Sequence, residues 1–221
     1  MKFPLGAAIV ATLLAASSPA AAQYTFSNTS DPLTTIYFGG TVPGTSGELI
    51  LDLTGNTGGL FTFAYTLSNT SNPALNPYVD ITSFGFEDIG VTALDGDALT
   101  GFFTNLILGG QGPGPFGSID VCLNNSNGSG NGCSGPNGVS TVGSGTFSLQ
   151  YDPTLTSLTL GQFGVRYQST GLDGKGSGTG TEIPPPGVPE PATWAMILLG
   201  FGVAGFAIRR RRRTSFLTQV A

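Results

Sequence analysis

Residues 60–67, Leu-Phe-Thr-Phe-Ala-Tyr-Thr-Leu, place Phe61, Phe63, Tyr65 and Leu67 at every second position. Successive side chains of an extended chain point to opposite faces, so this spacing makes one face of a strand apolar and leaves the other to Thr62, Ala64 and Thr66. Leu49, Leu51 and Leu53 repeat the pattern just upstream. Further short runs at 24–27, 35–38, 81–86, 102–108, 118–123, 145–151, 157–160 and 163–168 are candidate strands. Turn residues bound them: Gly39-Gly40, Gly55-Asn56, Ser71-Asn72-Pro73, Asp95-Gly96-Asp97, 109–114 and Asp152-Pro153. No part of this region sustains a helical period. The pattern predicts an all-β chain, a single antiparallel β-sandwich or jelly-roll-like domain. The absence of a fixed-period repeat argues against a solenoid.

Both ends of the chain read differently. Residues 1–22 have a basic Lys2, an apolar run over 5–16 and the small residues Ala20-Ala21-Ala22. That is a secretory signal peptide, cut by signal peptidase after Ala22 to leave Gln23 as the first residue. The predicted domain occupies 23–168. Residues 169–187, rich in Gly and Thr and ending in Pro184-Pro185-Pro186, read as a linker.

The last segment, 188–213, has three contiguous parts. Pro189 and Pro191 flank Glu190 and block a helix. The 17 residues 192–208 carry no charge and would cover about 26 Å as a helix, at the short end of a bilayer span. Trp194 stands at an interfacial position. Arg209, Arg210, Arg211, Arg212 and Arg213 mark the cytoplasmic end, which leaves 214–221 as a cytoplasmic tail and everything before Pro189 outside the inner membrane.

Val188, Pro189, Glu190 and Pro191, followed by Trp194-Ala195, the apolar run and the arginines, resemble the PEP-CTERM sorting signal in its Pro-Glu-Pro-x-x-Trp-Ala form. The resemblance implies recognition by an exosortase, a membrane transpeptidase-like cysteine enzyme that removes the tail. It also implies a Gram-negative, exopolysaccharide-producing host. The protein would be exported, held transiently in the inner membrane, then passed to the cell surface or extracellular matrix. A plain single-pass anchor, kept in the mature protein, is the alternative. Thr214 to Ala221 extend past the point where such tails often stop. Within the body, 81–86, the cysteine-bounded loop after Ile119-Asp120-Val121, and 163–171 followed by 176–180 look like the cistern family of PEP-CTERM proteins. That family is defined by sorting and implies no activity.

Without its ends the body holds two basic residues, Arg166 and Lys175, against twelve acidic ones, a net charge of −10. Such a surface repels nucleic acid and suits cations or plain solubility. Cys122 and Cys133 flank a Gly/Asn/Ser loop and, in an exported chain, are expected to form a disulfide. A metal site is the alternative, but the chain has no histidine and no second cysteine pair.

The missing histidine also removes the usual triads and imidazole acid–base chemistry. Glu87 and Asp88 are adjacent, so on a strand they face opposite ways, a poor pair for glycoside hydrolysis, and they are expected as solvent-facing turn residues. Asp95 and Asp97 are a weak candidate pair for calcium, with a tight turn the favoured reading. Asp120, Asp152 and Asp173 sit beside turns and form no constellation. The stretch 109–117 is no phosphate loop, since its prolines remove amides and no lysine follows. Four sequon-like Asn-x-Ser triplets, at Asn28, Asn69, Asn124 and Asn127, are chance matches in so Asn- and Ser-rich a chain.

Tyr65, Tyr78, Tyr151 and Tyr167 could build a sugar-stacking platform, although Tyr65 and Tyr167 are favoured as core. The expectation is therefore a non-enzymatic structural or interaction protein of the surface or matrix. An exopolysaccharide-binding module, calcium-assisted or not, is the second reading, and a carboxylate-pair hydrolase a distant third.

Overall fold

A computed structural model describes residues 22–90, 92–112, 117–126, 132–183 and 200–201. The described body is all-β. Its strands are β1 (Gln23–Phe26), β2 (Thr34–Gly40), β3 (Ser46–Thr57), β4 (Leu60–Asn69), β5 (Asp80–Asp88), β6 (Asp95–Gly101), β7 (Asn105–Gln111), β8 (Ser118–Asn124), β9 (Val142–Gln150), β10 (Leu158–Thr170) and β11 (Gly176–Ile183).

The alternation that opens the sequence reading is realised in β3 and β4. Leu49 opposes Leu67, Leu51 opposes Tyr65 and Leu53 opposes Phe63, so both apolar faces fall on one side, and all six are buried. The hairpin turns on Gly58 and Gly59, with φ of 59° and 76°, the left-handed pair that a two-residue hairpin loop requires. β3 therefore runs through Gly55-Asn56, where a turn is expected, and ends one residue later at Thr57, with a bulge between Leu53 and Gly55.

All strands belong to one antiparallel, hydrogen-bonded path, in the order β6-β9-β4-β3-β2-β11-β10-β5-β8-β7, with β1 paired to β10. The first and last strands of that path, β6 and β7, are joined in sequence by Phe102, Phe103 and Thr104 alone. This short connection bonds to both sides: Phe102 N donates to Ser144 O on β9 (2.9 Å) and Thr104 N to Asn124 O on β8 (3.2 Å). The sheet thus curls into a nearly closed barrel. Its interior is filled by rings. Tyr65 on β4 meets Phe84 on β5 with centroids 5.4 Å apart, Phe86 on β5 meets Phe147 on β9 at 6.0 Å, and Phe86 meets Phe163 on β10 at 5.2 Å. These spacings are in the favourable range for aromatic pairs, and the first two pairs cross between strands far apart in the sheet path.

The structure corrects four expectations. The domain does not stop at Gln168: β10 continues to Thr170, and most of the supposed 169–187 linker is a hairpin turn and β11, paired over Gly164↔Thr181 to Thr170↔Gly176. Asp95-Gly96-Asp97 is not a turn but the start of β6, paired with β9. Residues 102–104 are the barrel's connection, and the strand expected at 102–108 begins at Asn105. Residues 109–111, read as turn, finish β7.

β11 escaped the sequence reading for a packing reason. Its glycines fall at alternate positions, Gly176, Gly178 and Gly180, where an apolar stripe would normally announce a strand. A Cβ on Gly180 would lie 2.7 Å from Cε2 of Tyr167 and 2.8 Å from Cγ2 of Val165. The strand gives up side chains so that β10 can place larger ones.

Cys122 and Cys133 form the expected disulfide, with Cα atoms 5.8 Å apart and both residues buried. Ser83 Oγ donates to Cys133 O (3.0 Å), tying the bridge to β5. Among the described residues no helix is long and apolar enough to cross a membrane. The expected span 192–208 lies outside them apart from Gly200 and Phe201, which are helical.

Candidate functional site

The loop from β4 to β5 builds a cleft at one end of the barrel. Asn76 organises it. Only 2 % exposed, its Nδ2 donates to Pro43 O (3.0 Å) and its Oδ1 accepts from Gly171 N (2.8 Å). One side chain therefore joins the loop after β2, the β4–β5 loop and the β10–β11 turn. Asn69 Nδ2 donates to Val79 O (2.8 Å) and Val139 O (3.2 Å), and Ser71 Oγ donates to Ser46 O (3.1 Å). A buried amide that satisfies backbone groups on separate segments fixes their spacing, since breaking it strands polar groups away from water.

These bonds frame a cavity of about 150 Å³ whose walls include Asn69, Ser71, Asn76, Tyr78, Asp80 and Ser140. Tyr78 is 62 % exposed. Its ring is backed by Gly174, at φ +65°, where a Cβ would lie 3.1 Å from Cδ2 of the tyrosine. Asp80 is half-buried, and that burial pushes its carboxyl above the ordinary range.

A second polar cluster lies inside the wall. Tyr151 OH donates to Asp88 Oδ1 (2.8 Å), and Ala93 N donates to Asp88 Oδ2 (3.2 Å). Asp120 Oδ2 accepts from Asp88 N (3.0 Å). Asp88 is 6 % exposed and its carboxyl is pushed up to about 6 by burial, against the two hydrogen bonds that favour its charged form and with a small further push from Asp120. Burial, and then the Asp88 charge, raise the Tyr151 hydroxyl well above its ordinary value. Glu87 occupies the other face of β5, accepts from Gln162 Nε2, and is raised by burial and by Asp120.

The adjacent acids thus face opposite ways, as expected, but two assignments need correction. Asp88 is buried at the end of β5 rather than in a solvent-facing turn, and Asp120 is inside β8, where it joins that cluster. Asp152 and Asp173 do keep turn roles, accepting from Thr154 N (2.9 Å) and Lys175 N (3.2 Å). Both Asp88 oxygens accept hydrogen bonds within the fold.

The four tyrosines do not share a platform. Tyr65, Tyr151 and Tyr167 are buried, Tyr65 OH accepting from Phe103 N (3.1 Å), while Tyr78 alone of the four faces solvent. Asp95 lies exposed on β6. Among the described residues, no group of three or more His, Cys, Asp or Glu is placed to hold a metal ion. The cleft itself was not legible, because Asn76 and Gly171 are 95 residues apart and nothing local marks their contact.

Gln23 opens β1 and Ala22 precedes it, at the site where signal cleavage is expected. Ala20, the residues Val188, Pro189, Glu190, Pro191, Trp194 and Ala195, and the arginines 209–213 lie outside the described residues. For the tail, sequence comparison decides. Residues 187–212 match the family model of the PEP-CTERM protein-sorting motif. The chain carries a PEP-CTERM sorting motif. The match spans the Pro-Glu-Pro element, the apolar run and all but the last of the five arginines, and a PEP-CTERM motif implies export, exosortase processing and sorting to the cell surface. No curated protein and no solved structure matches the chain.

Proposed function

We propose that this chain is an exported surface or extracellular-matrix protein of an exopolysaccharide-producing Gram-negative bacterium, with a structural or interaction role and no catalytic one. The PEP-CTERM motif at 187–212 carries the proposal. In this reading signal peptidase releases Gln23, the tail holds the protein in the inner membrane, and an exosortase cuts within 188–194. The enclosed Asp88–Tyr151 pair supports a non-catalytic body, and the cistern-like segments point the same way. Intact mass of the protein from envelope and medium, with the exosortase gene present and deleted, tests it. A species from Gln23 to about Pro189 that disappears on deletion is expected. A C-terminus at Ala221 in both strains would overturn it in favour of a retained anchor.

One observation favours a second reading, carbohydrate binding: an exposed tyrosine ring stands at a polar cleft. Thermal melts with and without calcium test whether an ion assists, and an unchanged melting temperature removes calcium from the account.

A further inference from the structure

The geometry points to the Tyr78 cleft as a binding site for an uncharged polysaccharide, one sugar ring stacking on Tyr78 with its hydroxyls turned to Ser140 and donating to the remaining lone pairs of Asn69 Oδ1 and Ser71 Oγ. This rests on the carbohydrate-binding reading and gives it a place and a ligand class.

Three features converge. The first is the ring. Sugar rings present a C–H face that packs on an aromatic face, and Tyr78 offers such a surface already positioned. Gly174 backs it closely, and the turn that carries Gly174 is pinned through Gly171 to buried Asn76. Little side-chain freedom remains to be lost on binding.

The second is the chemistry of the walls. Polar side chains dominate, which suits a ligand made of hydroxyls better than an apolar peptide side chain. A volume of about 150 Å³ is well below that of a pocket for a free drug-sized molecule, so it suits one ring of a longer chain lying across the surface. Asp80 is the one charged residue in the lining, and no Lys or Arg contributes. Lys175 follows Gly174 but does not line the cavity. With the body at −10, a uronate- or phosphate-bearing glycan meets repulsion and a neutral one does not.

The third is position. β1 begins opposite Gly161 of β10, and near the end of β11 Thr181 lies opposite Gly164, with Tyr24 OH donating to Glu182 Oε1 (2.5 Å). Both chain ends therefore leave the sheet beside the same part of β10. The cleft lies at the other end, where Asp80 opposes Gln168 and Gly171 meets Asn76. Between these positions β10 runs for four to ten residues, roughly 13–33 Å. The cleft therefore lies toward the end of β10 away from Gln23 and Glu182.

Calorimetric titration of the full-length chain in a non-glycosidic detergent tests the proposal, using neutral glucan, galactan and mannan hexasaccharides and a uronic-acid hexasaccharide of equal length. Binding of at least one neutral sugar is expected, weakened about tenfold or more by Tyr78→Ala, in line with the loss of a stacking contact. Tyr78→Phe and Tyr37→Ala, the latter on an exposed ring of β2, should bind as the parent does. Preference for the uronate, or equal binding by Tyr78→Ala and Tyr37→Ala, overturns this site while leaving a carbohydrate-binding role elsewhere on the protein. No heat with any of the sugars overturns both.

Discussion

The hydroxyl of Tyr151 donates to Oδ1 of Asp88 at 2.8 Å, linking the end of β9 to the end of β5 inside the barrel wall. The pair joins residues 63 apart in sequence, and it makes the fold sensitive to pH.

Asp88 titrates at about 6 in the folded chain against an ordinary value of 3.8. The raised value means the folded state holds a proton that the unfolded state has already released. Its stabilising contribution is whole below about pH 4 and is lost as pH rises through about 6, with a ceiling of about 3 kcal/mol. Urea denaturation between pH 4 and 7 should show stability falling across that window. Asp88→Asn should flatten the slope, since the Tyr151 hydroxyl can turn to accept from the new amide.

Tyr151→Phe removes one partner and leaves the Asp88 carboxylate short of a buried hydrogen bond. A loss of about 1–3 kcal/mol is expected at neutral pH. The Asp88 carboxyl should also titrate higher, read by carbonyl NMR. A mutant as stable as the parent would mean that Asp88 is solvated instead.

The disulfide closes a loop between residues separated by 11 positions. Replacing both cysteines with serine should lower stability by about 2–3 kcal/mol, measured by denaturant melts. Reduction of the parent protein should give the same loss.

β11 is a working part of the sheet, so a chain ending at Gln168 should fail to give a cooperative melt while one ending at Ile183 gives the parent's. Gly180→Ala should cost about 1–3 kcal/mol by crowding Tyr167 and Val165. Gly55→Ala is the control: its Cβ would meet Thr62 at an ordinary 3.4 Å, and the change should be small.

What could be read in advance follows from where the information sits. β3 and β4 carry their own instructions in alternating Leu, Phe and Tyr, and so were legible residue by residue. β11 carries the complement, glycines that make room for Tyr167, and means nothing until its neighbour is known. β6 opens Asp-Gly-Asp, the chemistry of a turn, and is a strand because β9 supplies a partner. The same limit applied to the sites. The PEP-CTERM tail is a contiguous motif, complete in 26 residues, whereas the cleft and the Asp88 cluster are assembled from segments that only the fold brings together.

The three-residue tie between β6 and β7 also bears on how such a protein can behave when crowded. An open sheet presents unpaired amides and carbonyls along its rim, and one molecule can extend another by adding strands. Here the two edge strands are drawn together by that link, whose backbone bonds Phe102 to β9, Thr104 to β8 and Phe103 to the Tyr65 hydroxyl. Because β6 and β7 share no ladder among the described residues, the gap between them is where strand addition by a neighbouring molecule would begin, and the short link between them is the part of the fold that guards it.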